Sequence, residues 1–289
     1  VSFFITSFAT SQELNFQANS IELVDKDQRI IAKKNIKIFN ENETIYADEM
    51  DYDKSKQVIK ANGNIRIENL NKNIEIFGDQ LIYNKNEEKI FLNKNIKINL
   101  EKKIIINTEK IVYDKLKDEI IVDVPSNFKD YFGNNISTNK SRFLLKQKML
   151  KTNNVKMTDQ LNNKYYFENA IFNFKDNELI GDGVKLDFSK TSFGNKENDP
   201  RLRGNYLFSS NNKSFIKKGV FTTCKKNGDK CPPWQFKAEE IKHDKLKKTI
   251  YYKNAWLEIY DQPVIYFPRF FHPDPTVKRQ SGFLIPKFE

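Results

Sequence analysis

The side chains best suited to chemistry are scarce in this sequence. Among 289 residues there are two cysteines, Cys224 and Cys231, and two histidines, His243 and His272. Six residues separate the cysteines and 28 separate the histidines, gaps that match no common zinc-ligand spacing. No nucleotide-binding loop is present either. We therefore predict that the chain is not an enzyme and holds no metal or cofactor.

Composition indicates a folded, basic protein. The net charge is +11 and the pI is near 9.3, while 24 phenylalanines and 12 tyrosines exclude a disordered polyelectrolyte. No run of eighteen apolar residues exists, so we predict no transmembrane helix. Basic charge and aromatic rings are also typical of nucleic-acid binding, which stays an alternative. Against it, the rings alternate along strands or stand beside prolines, and no basic helix is evident. We predict no nucleic-acid partner.

The N-terminal stretch from Val1 to Ala9 is apolar and ends in small residues. This pattern is typical of the tail of a signal peptide, and we assign residues 1–12 to such a remnant. A first β-strand is the alternative. Export would place the protein in an oxidising compartment, where cysteines can pair.

A repeat of about thirty residues runs through residues 13–190. It is seen in Ala47-Asp48 followed by Tyr52, in Gly78-Asp79 followed by Tyr83, and again at Tyr113, so the tyrosines are 31 and 30 residues apart. A second phase, such as Gly63-Asn64-Ile65, lies between these marks. Each period therefore holds two strands, separated by turns rich in Asn, Asp and Lys.

Within these strands apolar and polar residues alternate, so one face is predicted to be buried. No convincing helix longer than two turns is found, which predicts an all-β stack of short antiparallel strands. The pattern leaves open whether the inward side chains fill a simple core or line a lipid-sized cavity. The inward positions are Ile36, Ile38, Met50, Tyr52, Ile65, Ile67, Leu81, Tyr83, Ile96, Ile98, Ile111, Tyr113, Val155, Met157, Phe172, Phe174, Val184 and Leu186.

The C-terminal third departs from the repeat. Residues 191–275 are predicted to be a second part of the same β-structure, and residues 276–289 a segment that follows it. Prolines are dense from Pro263 to Pro275, which excludes a central strand and leaves edge strands and rigid turns.

Four motifs in this third carry a resemblance to a known family. They are the Phe221-Thr222-Thr223-Cys224 element, the Trp234-Gln235-Phe236-Lys237-Ala238 strand, the Pro263-Val264-Ile265-Tyr266-Phe267-Pro268 run, and Arg279-Gln280-Ser281-Gly282-Phe283-Leu284-Ile285-Pro286. Together with the repeats, they resemble the periplasmic N-terminal domain of the LptD (OstA) family of lipopolysaccharide-assembly proteins. Two departures are that Arg269 stands where relatives commonly carry Tyr, and that an early cysteine is absent.

The resemblance implies a V-shaped OstA-type β-jellyroll at the periplasmic face of the cell outer membrane. Such a domain binds lipid A acyl chains in an apolar trough and passes lipopolysaccharide toward an outer-membrane barrel. The expected lipid-binding residues are the inward positions from Ile36 to Phe174. The expected partners are lipopolysaccharide, the periplasmic bridge protein, the outer membrane and, through a barrel, the lipoprotein plug. A β-scaffold that only docks the bridge by strand pairing stays an alternative.

The resemblance also implies a hinge leading into the first barrel strand, while no barrel is expected within this chain. The hinge and barrel-entry residues would be Pro263, Tyr266, Pro268, Pro273, Arg279, Ser281, Gly282, Phe283 and Pro286. The N-terminal edge, from Phe16 to Leu23, would accept the last strand of the bridge protein.

The two cysteines leave two interpretations open. Cys224 and Cys231 enclose an Asn-Gly turn, so a local disulfide is plausible across a hairpin, and we favour it for an exported protein. In relatives the first of them pairs with a distant barrel cysteine, so two thiols that await such partners are the alternative.

Overall fold

The computed structural model describes residues 15–101, 104–130, 132–190, 197–226, 228, 232–273 and 277, and within them the chain forms strands, turns and no helix. The predicted all-β, antiparallel class is confirmed. None of the described segments is a helix of the length and apolarity needed to cross a membrane. The signal-peptide remnant and the segment after residue 277 lie outside the described residues.

The described part of the chain contains twenty strands. They are β1 (Asn15–Gln17), β2 (Ser20–Val24), β3 (Arg29–Phe39), β4 (Glu43–Asp53), β5 (Val58–Asn69), β6 (Ile74–Asn84), β7 (Lys89–Leu100), β8 (Ile104–Asp114), β9 (Glu119–Val122), β10 (Ser126–Lys129), β11 (Asn135–Thr138), β12 (Lys140–Leu144), β13 (Met149–Thr158), β14 (Lys164–Asn173), β15 (Glu178–Asp187), β16 (Arg201–Ser209), β17 (Lys213–Thr222), β18 (Trp234–Asp244), β19 (Thr249–Ile259) and β20 (Gln262–Pro273).

The chain divides into two compact units, Val1–Lys102 and Lys103–Glu289, which we call the first and second units. In the first, β3 to β7 pair in sequence order, and β1 and β2 both pair with β3. In the second, β9 and β10 together act as one interrupted strand, and β11 and β12 act as another. After them, β13 to β20 pair in sequence order. The predicted boundary at residue 190 stays a prediction.

Most long strands bend at their middle. In β5 the buried residues are Ile59 and Ala61 before the bend and Ile65 and Ile67 after it. Between them the pairing register with β6 shifts, and the backbone at Gly63 and Asn64 has φ of 76° and 47°. A bulge of this kind lets a strand turn while both halves keep one face buried. The strands are therefore longer than the segments from which they were predicted.

The bend explains the repeated Asp and Asn residues. The Asn64 amide donates to Asp48 Oδ2 on β4 at 2.7 Å, and one period later the Asn95 amide donates to Asp79 Oδ2 at 2.5 Å. Asn tolerates the left-handed backbone that the bulge requires. At Gly63, a Cβ atom would come within 2.6 Å of Asp48 Oδ2, so the position before this asparagine favours glycine.

The repeated tyrosines mark the turns. Tyr52 donates to Gln57 Oε1 at 3.0 Å, and Tyr83 donates to Glu88 Oε2 at 2.8 Å, each across a four-residue turn. The Asp53 carboxylate accepts the Lys56 backbone N–H at 3.0 Å, as Asx residues do in tight turns. The hydrogen bonds from Ser55, whose hydroxyl contributes most, and from Lys56 lower the pKa of Asp53. The turns predicted after Tyr52, Tyr83 and Tyr113 are confirmed.

Candidate functional site

The second unit contains a cavity of about 860 Å³, lined by β13 to β20 and by the turns at both ends of these strands. Binding sites for small molecules occupy roughly 300–1,000 Å³, so this volume is sufficient for a ligand. The lining is mainly apolar in its middle and polar at its ends.

Two rows of cross-strand neighbours form the apolar wall. Strand pairing places Leu186, Leu202 and Phe221 side by side on β15, β16 and β17. On the other side of the bends, a second row runs across β16 to β19 through Leu207, Ile216, Ile241 and Tyr252. All seven side chains are buried, and all seven line the cavity.

Aromatic rings pack beside this wall on the same inward face of the strands. Trp234 packs edge-on against Phe221 and against Phe236, with ring centroids 6.4 and 6.0 Å apart. Phe236 in turn stacks on Phe270 of β20 at 5.7 Å. Such pairs add about 0.5–1.5 kcal/mol each beyond their burial, which holds the wall in place without filling the cavity.

One end of the cavity is acidic. The Asp159 carboxylate accepts the Asn163 backbone N–H at 2.9 Å and the Tyr165 hydroxyl at 3.1 Å. Burial, and then the nearby Asp159 charge, raise the pKa of Tyr165. Asp130 accepts the backbone N–H and the side-chain amide of Asn134, both at 2.8 Å. Both carboxylates therefore have hydrogen-bond donors from their own loops.

The opposite end carries a lysine among hydroxyl groups. Lys245 donates to Ser209 Oγ at 3.1 Å and to the Ser210 carbonyl at 2.5 Å. Ser209 and Ser214 join their hydroxyls at 2.9 Å. Burial lowers the pKa of Lys245. Among the described residues no carboxylate lies within salt-bridge distance of this ammonium group.

His272 reaches the cavity from β20. Its Nε2 lies 2.9 Å from the Tyr252 hydroxyl, in a buried pair, and burial raises the pKa of Tyr252. Among the residues that the structure describes, no three His, Cys, Asp or Glu side chains are grouped as a metal site would need. Cys224 Sγ lies 3.7 Å from the Trp234 carbonyl. Cys231 lies outside the described residues, so the local disulfide stays a prediction.

The sixteen residues predicted to bind lipid are buried, except Phe174, which is half-buried. Three of them, Met157, Phe172 and Phe174, line the cavity. Ten others, from Ile36 to Ile98, lie in the core of the first unit, while Ile111, Tyr113 and Val155 are buried in the second. Lipid contact at these positions stays a prediction.

The proline-rich segment is a strand. Pro263, Tyr266, Pro268 and Pro273 belong to β20, which pairs with β19 alone among the described residues, as expected for an edge strand. Pro268 stands opposite Asn254 of β19, whose backbone is left-handed with φ of 49°, and the register shift of this strand pair lies between Leu257 and Glu258. The other hinge residues predicted, Arg279, Ser281, Gly282, Phe283 and Pro286, lie outside the described residues.

Sequence reasoning missed most of the cavity wall. It did not assign inward positions on β16 to β19, where Leu207, Ile216 and Lys245 lie. A signal was available in the small residues that mark each inner bend, such as Gly219 and Ala238, which pair across β17 and β18. A Cβ at Gly219 would come within 2.4 Å of Ile241, so close packing demands a small residue there.

Comparison with known proteins agrees with the predicted resemblance. The family model "OstA-like protein" matches residues 13–124. The chain is 25% identical over 177 residues to an LPS-assembly protein LptD of Idiomarina loihiensis, covering 58% of this chain and 22% of the relative. It thus spans about a fifth of the length of that curated relative.

A solved structure is also similar. It is LptH of Pseudomonas aeruginosa, described as the LptA homologous periplasmic component of the lipopolysaccharide transport device. The two sequences are 22% identical, the match covers 36% of this chain and 77% of that chain, and the TM-score is 0.33. The family match and the LptD relative confirm the resemblance seen in the repeats, and residues 13–124 are OstA-like.

Proposed function

We propose that this chain takes part in lipopolysaccharide transport and holds lipid A acyl chains in the cavity of the second unit. The observation that carries the proposal is an apolar cavity of about 860 Å³ in a chain whose first part is OstA-like. The similarity to an LPS-assembly protein supports the same class of cargo.

The forces involved are ordinary ones. Each CH₂ group moved from water into the apolar wall contributes about 0.8 kcal/mol, so an acyl chain is retained without covalent chemistry. Release needs only that the acyl chain slide toward another apolar surface. The proposed role of the protein is therefore that of a carrier and not of an enzyme.

The proposed partners are those of lipopolysaccharide transport. The bridge protein would pair with the edge formed by β1 and β2, which among the described residues contact only β3 within the sheet. Ile21 and Leu23 on this edge are about half exposed. The proposed location is the periplasmic face of the outer membrane, and the lipoprotein plug would be met through a barrel.

Site-specific photo-crosslinking tests the proposal. Benzoylphenylalanine at Phe172 faces the cavity, whereas the same probe at the neighbouring Ile171 points to the other face of β14. We expect purified lipopolysaccharide to crosslink at position 172 and not at 171. A third probe at Tyr83 tests the predicted lipid contacts of the first unit.

A scaffold is the second candidate, favoured by the open edge at β1 and β2. It predicts bridge binding with no lipid adduct at any inward position. Crosslinking at neither Phe172 nor Tyr83, in a chain that still binds the bridge protein, would favour the scaffold over the carrier.

A further inference from the structure

The two ends of the cavity differ in charge. The loops of Asp130 and Asp159 lie beside the ends of β14 and β15 where Lys164 pairs with Asp187. Lys245, Ser209 and Ser214 lie at the opposite strand ends, where Leu179 pairs with Ser209. Between them the wall is apolar, so the cavity has one end with two carboxylates, an apolar middle and an opposite end where Lys245 and Glu178 carry opposite charges.

Lys245 has capacity for another acceptor. An ammonium group has three N–H donors, and Ser209 and the Ser210 carbonyl account for two of them. Both of these partners are neutral, and no described carboxylate forms an ion pair with it. A partly buried cation without an anion is costly, so an anionic ligand would be stabilised here more than at an exposed lysine.

The lining at this end also includes Glu178, next to Leu179 on β15, and His243, which pairs with Ser214 across β17 and β18. Burial accounts for the lowered pKa of Lys245, with no contribution from either neighbour. The acidic end offers the opposite environment, since Asp130 and Asp159 would repel an anion. An anionic amphiphile is therefore favoured in one orientation only.

We propose that Lys245, with the hydroxyls of Ser209 and Ser214, binds the phosphate or carboxylate head of an anionic amphiphile whose acyl chain lies along the apolar wall. This inference rests on the proposed function, because it assumes an acyl chain in the cavity. It adds a direction, with the head at the lysine end and the tail toward Leu202 and Phe221.

Two probes with the same tail test the assignment, dodecyl phosphate and the uncharged dodecyl maltoside, each titrated below its micelle concentration by calorimetry. Lys245→Met should weaken dodecyl phosphate binding about tenfold or more and leave dodecyl maltoside unchanged. Lys245→Arg should retain most of the phosphate preference. Lys247→Met is the matched control, since Lys247 is exposed on the same turn, and should change neither affinity.

The outcomes separate the two proposals. If both probes bind and Lys245→Met affects neither or both equally, the anion site is wrong while the cavity still holds acyl chains. If neither probe binds a folded chain, the carrier function itself is wrong. Circular dichroism melting of each variant confirms that the fold is retained.

Discussion

The two units use the same bent strand but fill it differently. In the first, the inward positions are mostly isoleucine, with Ile59, Ile76 and Ile98 fully buried and the small Ala61 at the inner bend. In the second, the inward positions combine aliphatic residues such as Leu207 with rings such as Phe172, and both kinds line a cavity.

This difference shows that the alternation of residues along the strands does not by itself determine whether a cavity forms between them. Ile59, Ile76 and Ile98 of the first unit are 0% exposed, as is common in the well-packed interiors of proteins. In the second unit, residues such as Leu202 and Leu207 are buried as well, yet they border a cavity of about 860 Å³. The same alternation is therefore found both in a core of fully buried isoleucines and in the wall of a cavity.

The largest effect is expected from a charge placed in the close-packed core. Ile67→Asp buries a carboxylate at a position that is 1% exposed and should cost roughly 3–5 kcal/mol or more. Lys97→Asp on the exposed face of β7 should be nearly silent. Urea denaturation followed by circular dichroism measures both, and equal losses would contradict the assigned faces.

Truncation should distinguish the two units. Ile98→Ala removes a fully buried side chain and should cost about 2–5 kcal/mol. Leu207→Ala should cost at least about 1 kcal/mol less, because one side of Leu207 already borders empty space. Denaturant midpoints give the comparison, and an equal or larger loss at Leu207 would mean that the cavity wall is as closely packed as the first core.

Enlargement of a side chain should also cost less at the cavity wall than in the core of the first unit. Ile98→Phe overfills the first core and should cost about 1–3 kcal/mol, whereas Leu207→Phe has space to enter and should cost less than about 1 kcal/mol. Leu207→Phe should also weaken the binding of dodecyl maltoside. If the two variants lose equal stability and amphiphile affinity is unchanged, the cavity is not the binding site.

The sequence predicted the strands better than the site. The Asp48 and Asn64 repeats mark bends and the Tyr52 and Tyr83 repeats mark turns, because local backbone demands select those residue types. Period-two alternation identifies inward positions such as Ile67. Whether inward residues meet or leave a gap depends on packing between distant strands, which no local pattern records, so Leu207 and Lys245 were missed.

The smallest effect concerns acid. Burial raises the pKa of Asp187 in the second unit, but hydrogen bonds from Lys226 and Arg203, together with their charges, outweigh it and lower the pKa. Its contribution to stability is present above the unfolded-state pKa of about 3.9 and is lost as pH falls through the lower folded value. Asp187→Asn should therefore flatten the acid side of the stability profile by up to about 1 kcal/mol. Tryptophan fluorescence against pH reports it, and an unchanged profile would exclude this role.

The cavity can be tested directly with the two tryptophans of the chain, Trp234 and Trp256. Trp234 is 9% exposed and packs edge-on against Phe221 of the cavity wall, whereas Trp256 is 40% exposed and its ring is tilted against that of Tyr266. Replacing each in turn by Phe leaves a single reporter, which is then titrated with lipopolysaccharide carrying brominated acyl chains, a short-range quencher. The account predicts strong quenching of Trp234 and little quenching of Trp256. Equal quenching of both, or quenching of Trp256 alone, would contradict acyl-chain binding in the cavity.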